Sequence, residues 1–278
     1  MQTYGVVIAT LGIRKNLPII LESLASLEFP PHAVAVNDQS TDDEVARVCE
    51  QFQGRFPILR RTQRREPRGV SAARNGAIEA ILDEVDWIAT LDDDSVIVDP
   101  PIGRIEEFGD ASVIAGSYRS TRIVDHAPMR FTIGYRTAWT HTVESATMYR
   151  ADALRQVGLF DETLGTGGYT PWQAGEGTDL IFRCMTIGPA IYDPEYVVAP
   201  AVSDFSSFPI SKHRRYARGT GRVLRRWCPV PQQVQALIGP LARAAKYLVQ
   251  GKWYNTKLHL NIFIGRVEGI LGRTWGST

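Results

Sequence analysis

The chain has 278 residues, of which 44% are hydrophobic and 22% are charged, and its formal net charge is only +1. This composition is ordinary for a globular protein with a hydrophobic core, and the length suits one large domain or two small ones. A membrane-spanning chain is excluded, because no uninterrupted apolar run approaches the roughly 18 residues that a transmembrane helix needs.

The beginning of the chain and its cysteines suggest a cytosolic protein. The N-terminus leads directly into the apolar run 4–9, without the basic and apolar regions of a secretory signal. The three cysteines, Cys49, Cys184 and Cys228, are scattered and lack the spacing of metal ligands. We therefore expect reduced thiols in a cytoplasmic setting.

Over roughly the first 95 residues, apolar runs alternate with segments of helical period and predict the order β-α-β-α-β-α-β. Two further strands are expected after this region. The predicted strands are 4–9, 33–36, 56–59, 87–91, 111–116 and 144–149. An alternation of this kind implies an α/β fold with a mostly parallel sheet, right-handed crossovers and flanking helices.

The polar side chains that follow these strands fall on one edge of the predicted sheet. Thr10 follows the first strand, Asp38 follows the second, and Asp92, Asp93 and Asp94 follow the fourth. Open α/β sheets bind their ligands at the carboxyl ends of their strands. The fold therefore predicts a nucleotide site at this edge.

The run from Asp92 to Asp94 is unusual in itself, because three adjacent carboxylates repel one another. A hard divalent cation, Mg²⁺ or Mn²⁺, would neutralise the cluster and share its coordination with substrate phosphates. The alternative is a plain acidic turn after a strand, since Asp is common in turns.

A long turn-rich stretch lies between Leu164 and Leu180. Its aromatic residues, and the helix that begins at its end, favour an ordered and functional loop. Gly165, Gly167 and Gly168 would let the backbone approach a ligand or hinge a lid, or they would form a plain turn.

The small net charge conceals an uneven distribution. Residues 205–278 carry thirteen Lys or Arg and one acid, Glu268, for a net +12, whereas residues 1–204 have a net −11. The difference suggests two domains with these bounds and a polyanionic partner for the second. Anionic lipid headgroups and lipid-linked diphosphates fit this description; nucleic acid also fits but is not the partner we expect.

Residues 205–278 read as helices: a basic one from Ser211, then 232–249 and 255–271. The last helix has an apolar stripe that would pack against its own domain or lie on a membrane surface, and the surrounding positive charge keeps both readings open. The stripe consists of Leu258, Ile262, Phe263, Val267, Ile270 and Leu271.

Five segments, spread over roughly the first 200 residues, together resemble the family-2 glycosyltransferases, which have the GT-A fold. They are Ala9-Thr10, Asn37 to Ser40, Gly69 to Gly76, Leu91 to Asp94 and Gly175 to Leu180. Each segment is short, but their order and spacing are specific, and the aspartate run matches the DXD motif of the family. The segment from Tyr216 to Arg222 also resembles the C-terminal part of bacterial members that build surface polysaccharides.

The resemblance implies a nucleotide-sugar donor whose diphosphate is held by a divalent metal. Asp94 would be the metal ligand, and Asp92 would hold the ribose or share the metal through water. Asp93 would belong to the same donor site.

Three further donor-site residues are implied by the resemblance. Asp38 would bond the base edge, Thr10 would line the nucleotide pocket, and Arg74 would face the base or the diphosphate. The alternative for Asp38 is an Asx turn that caps the following helix. The alternative for Arg74 is a surface residue paired with Glu79 or Asp43.

Inversion at the anomeric carbon needs a base that deprotonates the acceptor hydroxyl. The family usually supplies it from an acidic pair before a helix, often from the second acid. Here Glu176 is followed by Gly177, so Glu176 is the preferred base and Asp179, which could instead cap the following helix, is second. Trp172 and Gly175 would lie on the acceptor side, where Trp172 would stack on a sugar or pack in the core.

The expected function is a metal-dependent inverting glycosyltransferase of bacterial surface-polysaccharide synthesis, in the cytoplasm or peripherally on the inner face of the membrane. Its acceptor would be a glycan or a polyprenyl-diphosphate-linked sugar, and residues 205–278 would hold anionic lipid or the acceptor diphosphate. One alternative is a sugar-1-phosphate nucleotidyltransferase, although the loop Leu11 to Arg14 lacks the glycine-rich, basic character of such enzymes. The other is a degenerate, non-catalytic glycan-binding GT-A domain.

Overall fold

The computed structural model describes residues 2–13, 15–119, 127–202 and 209–275, and the chain divides into two compact units. Unit 1 comprises residues 1–66, 72–160 and 180–204, and unit 2 comprises residues 67–71, 161–179 and 205–278. Two internal segments therefore group with the C-terminal helices. The domain boundary predicted after residue 204 lies outside the described residues and stays a prediction.

Unit 1 is built on a single mixed β-sheet. Its strands are β1 (Tyr4–Thr10), β2 (Ala33–Asp38), β3 (Ile58–Thr62), β4 (Trp87–Asp92), β5 (Ser95–Asp99), β6 (Val113–Tyr118), β7 (Phe131–Thr132), β8 (Thr147–Arg150) and β9 (Ala190–Pro200). Their order across the sheet is β3-β2-β1-β4-β8-β6-β9-β5, and β7 pairs with β9. The first four strands run parallel to one another, whereas β8 is antiparallel to both β4 and β6.

The α/β fold class is confirmed, and the predicted strands at 4–9, 33–36 and 87–91 coincide with β1, β2 and β4. These three strands were predictable because nearly every residue in them is apolar and buried. The sheet is less parallel than predicted, since β5, β7 and β8 all pair antiparallel. The third strand also begins two residues later than predicted, at Ile58.

Helices cover the sheet and complete the core. They are α1 (Leu17–Ala25), α2 (Glu44–Gln51), α3 (Val70–Ile81), α4 (Ala138–His141), α5 (Ala151–Val157) and α6 (Glu176–Cys184), with 3₁₀ turns at Pro101–Phe108 and Glu144–Ala146. In α1 the residues Leu17, Ile20, Leu21 and Leu24 are buried at spacings of three or four. They join the apolar cluster of β1, β2 and β4, and each fully buried leucine contributes roughly 1.5–3 kcal/mol.

Unit 2 contains three long helices, α7 (Ile210–Trp227), α8 (Val230–Val249) and α9 (Trp253–Leu271). Helix α9 packs against both α7 and α8. The approach to α7 is close at Gly269, where an added Cβ would overlap the carbonyl oxygen of Arg218. The apolar stripe predicted on α9 is half-buried apart from Leu271, which supports packing within the unit. No helix in the described part of the chain is long and apolar enough to cross a bilayer.

The acid of this basic region, Glu268, is completely buried. Its carboxylate accepts hydrogen bonds from Arg214 at 2.6 Å and Arg218 at 2.7 Å, and from the backbone N–H of Trp275 at 2.7 Å. Burial alone would raise the pKa of Glu268, but the bonds from Arg214 and Arg218 outweigh it and lower the pKa to about 2. Arg214 and Arg218 therefore act as internal partners of Glu268.

Candidate active site

The polar residues predicted at the carboxyl edge of the sheet do lie side by side in unit 1. Residue 10 of β1 is in register with Asp38 of β2, and Ala9 is in register with Asp92 of β4. The Thr10 hydroxyl donates to a carboxylate oxygen of Asp93 at 2.8 Å and accepts from the N–H of Gly12 at 2.9 Å. The loops after β1 and β4 are thereby tied together.

The aspartate run forms the corner between two strands. Asp92 is the last residue of β4, and Asp93 and Asp94 form a two-residue turn before β5. Asp94 accepts from the Ser95 hydroxyl at 3.2 Å through its carboxylate, and from the N–H of Ala201 at 2.7 Å through its carbonyl oxygen. The turn is thus held by neighbouring strands, and all three aspartates are partly accessible to solvent.

Arg74 is the cation of this edge. Its guanidinium donates to Asp92 at 2.7 Å, and the arginine side chain is 3% exposed while that of Asp92 is 45% exposed. The guanidinium also lies 5.6 Å from the ring centre of Phe160. Arg74 is therefore a buried residue paired with Asp92 and not the surface residue of the alternative prediction.

The chemistry of this edge fits a divalent cation only with help from a substrate. Within the described residues, no group of three or more His, Cys, Asp or Glu side chains converges to form a metal cage. Mg²⁺ and similar ions are commonly held by one or two carboxylates together with substrate phosphates. Asp92, which is paired with Arg74, and Asp94, which accepts from the Ser95 hydroxyl, can supply that number of carboxylates.

Asp38 occupies the predicted edge but is completely buried. One carboxylate oxygen accepts two hydrogen bonds from Arg61, at 3.0 and 2.7 Å, and the other accepts the N–H of Ser40 at 2.8 Å. Burial raises the pKa of Asp38, but the bonds from Ser40 and Arg61 prevail and leave the pKa below its usual value. The bond from Ser40 forms the Asx turn that was the alternative prediction for Asp38. That Asp38 bonds the edge of the nucleotide base stays a prediction.

Arg61 is a site residue that the sequence analysis did not single out. It belongs to an arginine-rich segment that β2 also holds through Asn37, whose side chain accepts the N–H of Arg64 at 3.0 Å. Because Arg61 and Asp38 are 23 residues apart and lie on adjacent strands, no local pattern reveals the pair.

A small cleft lies beside Thr10 and Asp93. Its lining residues are Thr10, Gly12, Lys15, Asn16, Leu17, Pro18, Glu44, Val45, Val48 and Asp93. Lys15 is a non-glycine residue with positive φ, at 56°, and its ammonium pairs with Glu44 at 3.3 Å. The cleft therefore brings both polar and apolar side chains to the Thr10 edge.

In unit 2, the glycine-rich loop is ordered by its own hydrogen bonds. The Gln173 side chain accepts the N–H of Gly167 at 2.9 Å and donates to the carbonyl of Gly168 at 3.0 Å. Gly165 has φ of +104° and lies so close to Ser71 that an added Cβ would be 2.6 Å from the serine hydroxyl. The glycines therefore let this loop pack onto the first turn of α3.

The two predicted base candidates have different environments. Asp179 is completely buried, and its carboxylate accepts from Arg226 at 2.7 Å and from the Trp227 indole at 2.8 Å. The helix starts at Glu176, so Asp179 lies inside α6 and the predicted cap at its start is wrong. Glu176, the first residue of α6, is partly exposed.

The acceptor-side candidates also lie in unit 2. The Trp172 ring is 5.7 Å from the Arg222 guanidinium, and its carbonyl accepts the N–H of Gly165 at 3.0 Å. Gly175 directly precedes α6 and has φ of +93°.

The predicted site residues are divided between the units. Unit 1 groups Thr10, Asp38, Arg74 and Asp92 to Asp94, and unit 2 holds Trp172, Gly175, Glu176 and Asp179. Arg226 and Trp227, which fix Asp179, were not found by sequence reasoning because they are 47 and 48 residues away.

Comparisons with known proteins agree with this architecture. The family model described as glycosyl transferase family 2 matches residues 5–157, which is more than half of the chain. No curated protein matches the sequence.

Three solved structures illustrate the fold. Staphylococcus aureus TarS is 15% identical with a TM-score of 0.58; the match covers 96% of this chain and 55% of the TarS chain. The Pyrobaculum calidifontis mannosyltransferase PcManGT, in complex with GDP-Man and Mn²⁺, is 14% identical with a TM-score of 0.61 and coverages of 98% and 88%. Glucosyl-3-phosphoglycerate synthase from Mycobacterium tuberculosis, with Mn²⁺, UDP and glucosyl-3-phosphoglycerate, is 16% identical with a TM-score of 0.54 and coverages of 81% and 80%.

Proposed function

Because this chain belongs to glycosyl transferase family 2, we propose that it moves a sugar from a nucleotide-sugar donor to a glycan or polyprenyl-diphosphate-linked acceptor, with inversion and with a divalent cation. The observation that carries the proposal is the grouping of Thr10, Arg74 and the aspartate run at the carboxyl edge of the sheet. Family membership as a glycosyltransferase decides against the nucleotidyltransferase alternative. A non-catalytic domain is an outcome that the experiment below would reveal.

Donor binding is assigned to unit 1. Two neighbours of the same fold are described with nucleotide ligands, one with GDP-Man and one with UDP, and both with Mn²⁺. In this chain Asp92 would accept bonds from the ribose, held in position by buried Arg74. Thr10 would line the nucleotide pocket, Asp93 would hold Thr10 there, and Asp38 would face the base edge.

Asp94, supported by Asp92, is the proposed ligand of Mg²⁺ or Mn²⁺. Asp94 lies in the turn between β4 and β5 and is partly exposed, while Asp93 accepts from Thr10 and Asp92 accepts from Arg74. The cation, when bound, would stabilise the negative charge of the departing diphosphate. Arg74 would hold Asp92 in position during that step.

Glu176 is the proposed base that removes the proton from the acceptor hydroxyl. Asp179 is the weaker candidate, because its carboxylate is buried and paired with Arg226. Its carboxylate also accepts from the Trp227 indole at 2.8 Å, so both contacts are inside unit 2 and the group is closed to solvent. Asp179 instead positions α6, with Trp172 and Gly175 on the acceptor side.

The acceptor is proposed to be anionic and membrane-associated. The net +12 of residues 205–278 suits a lipid-linked diphosphate or the anionic lipids around it. We therefore propose that the protein works peripherally at the inner face of a bacterial cell membrane, in the synthesis of surface polysaccharide.

The test is the rate of nucleoside diphosphate release from a nucleotide sugar with Mn²⁺. Glu176→Gln should lower kcat by roughly 10²–10⁴-fold, as expected for a general base. Asp94→Asn should require Mn²⁺ at concentrations higher by about tenfold or more.

The exposed residues Glu79 and Asp99 provide matched controls, Glu79→Gln and Asp99→Asn, which should behave as the unchanged protein. Equal rates for all four variants would contradict the assignment, and a complete absence of turnover with every donor would indicate a non-catalytic domain.

A further inference from the structure

Helix α8 has two apolar faces, of which only one is used inside unit 2. Gln233, Pro240 and Ala244 are buried on the inner side. A second set of apolar side chains points away from the unit, and each is between 46% and 63% exposed. This set is Val230, Val234, Ile238, Leu241 and Leu248.

The exposed set forms one continuous stripe. Its members follow one another at intervals of four, four, three and seven residues, and a helix with 3.6 residues per turn brings such positions onto one side. Exposed Ala245 fills the interval of seven. The stripe therefore runs along the whole of α8, from its first residue to its last turn, and a stripe of this length marks an interaction surface.

Exposed apolar side chains also lie on both sides of the turn between α8 and α9. Val249, the last residue of α8, is 90% exposed, and Trp253 and Tyr254 at the start of α9 are also exposed. Trp and Tyr have an apolar ring with a polar tip, and they are enriched where a protein meets the boundary between lipid and water.

The charges beside the stripe all have one sign. Arg243, Lys246, Lys252 and Lys257 are exposed on α8, on the turn and on the first turns of α9. The sequence of these two helices contains no acid apart from Glu268, which is buried against Arg214 and Arg218. An apolar stripe flanked by basic residues complements anionic lipid headgroups with acyl chains beneath them.

We propose that the outer face of α8, together with the α8–α9 turn, docks in the plane of an anionic lipid bilayer. This surface differs from the α9 stripe that the sequence suggested, because α9 packs against α7 and α8. A second copy of the chain is the less favoured occupant, since pairing two such faces would bring their basic flanks together. The inference deepens the proposed function and rests on its membrane-linked acceptor.

The test is sedimentation of the full chain with vesicles of phosphatidylcholine alone or mixed about two to one with phosphatidylglycerol. The unchanged protein should bind the mixed vesicles, less so at high salt. Val234→Gln with Ile238→Gln should lower its partition coefficient about tenfold, because two apolar side chains no longer enter the lipid. The matched control is Val98→Gln with Ile19→Gln, which changes a half-exposed valine and isoleucine in unit 1 and should bind as the unchanged protein does.

Equal vesicle binding by the α8 variant and the control would overturn the proposal, and so would a lack of binding to the mixed vesicles at low salt. Analytical ultracentrifugation of the same samples covers the other occupant: a dimer that the α8 substitutions dissociate would assign the stripe to a second copy. Thermal shift with donor and Mn²⁺ on the same samples separates this inference from the proposed function. If vesicle binding fails while donor binding is intact, only the proposed α8 surface is contradicted. If donor binding fails while vesicle binding is intact, only the proposed glycosyltransferase site is contradicted.

Discussion

One buried ion in each unit fixes a more exposed group of the opposite sign. At the edge of unit 1, Arg74 is buried and its partner Asp92 is 45% exposed. In unit 2, Glu268 is buried and its partner Arg214 is 25% exposed. The first arrangement presents a carboxylate and the second presents a cation. Other buried acids are Asp38 and Asp193 in unit 1, paired with Arg61 and Arg104, and Asp179 in unit 2, paired with Arg226.

The charge asymmetry of the sequence therefore has a counterpart in how the charged side chains are placed in the two units. Carboxylates at a sheet edge suit a cation and the hydroxyls of a nucleotide sugar, and a basic helical surface suits phosphate or anionic lipid. The buried partner in each unit contributes position, since one buried ion holds the exposed groups in a fixed geometry.

The largest effect should come from removing the buried acid of unit 2. Glu268→Ala leaves Arg218, which is 2% exposed, without its carboxylate, and breaking a buried pair in this way destabilises proteins by roughly 3–5 kcal/mol. Urea unfolding measures the change. Glu107→Gln, at a half-exposed pair with Arg130, is the control and should change stability by less than about 1 kcal/mol. Similar small losses in both variants would refute the idea that Glu268 organises the helices.

Acid should reproduce much of that loss. Glu268 has a pKa of about 2 in the folded protein against an ordinary value of 4.5. A lowered pKa contributes stability that is fully present above pH 4.5 and is lost as the pH falls towards 2, here about 3 kcal/mol. The lowered pKa values of Asp38 and Asp161 act in the same direction. The Glu268→Gln variant should lose clearly less stability between pH 6 and pH 2, and an identical pH profile would contradict the assignment.

A smaller effect is expected in unit 1 from Arg74→Met. The methionine fills most of the buried space, and Asp92 regains water because it is partly exposed, so the loss should be about 1–3 kcal/mol. The variant should also raise the repulsion within the aspartate run and weaken donor binding. Unfolding in urea and donor titration measure the two effects. Arg60→Met, at an exposed pair with Glu84, is the control, and an equal response of both variants would count against a special role for Arg74.

Local pattern was enough to predict the half of the sheet that carries the candidate site. The strands β1, β2 and β4 are short apolar runs followed at once by Thr10, Asp38 and the aspartate run. Residues adjacent in the sequence therefore predict both the strands and the polar edge. β9 was not predicted, because its apolar residues are interrupted by Asp193, Pro194 and Glu195 and show no clear period.

The partners of the site residues could not be predicted, because they come from distant parts of the chain. Arg61 reaches Asp38, and Arg226 reaches Asp179, only after the elements have packed. The exposed face of α8 was missed for a related reason. Periodicity shows that a helix has apolar residues, but which of two apolar sides faces the protein depends on the positions of α7 and α9.

The most direct test of the donor site in unit 1 is thermal shift with UDP-, GDP- and dTDP-sugars, each with and without Mn²⁺. A ligand that binds only the folded state raises the melting temperature, and the increase grows with the logarithm of the ligand concentration above Kd. The account predicts stabilisation by one nucleotide class that depends on Mn²⁺ and is lost in Asp94→Asn but kept in Asp99→Asn. Stabilisation that does not depend on Mn²⁺ and that persists in Asp94→Asn would contradict the assignment of the aspartate run. If no donor changes the melting temperature, the proposed donor site itself is contradicted.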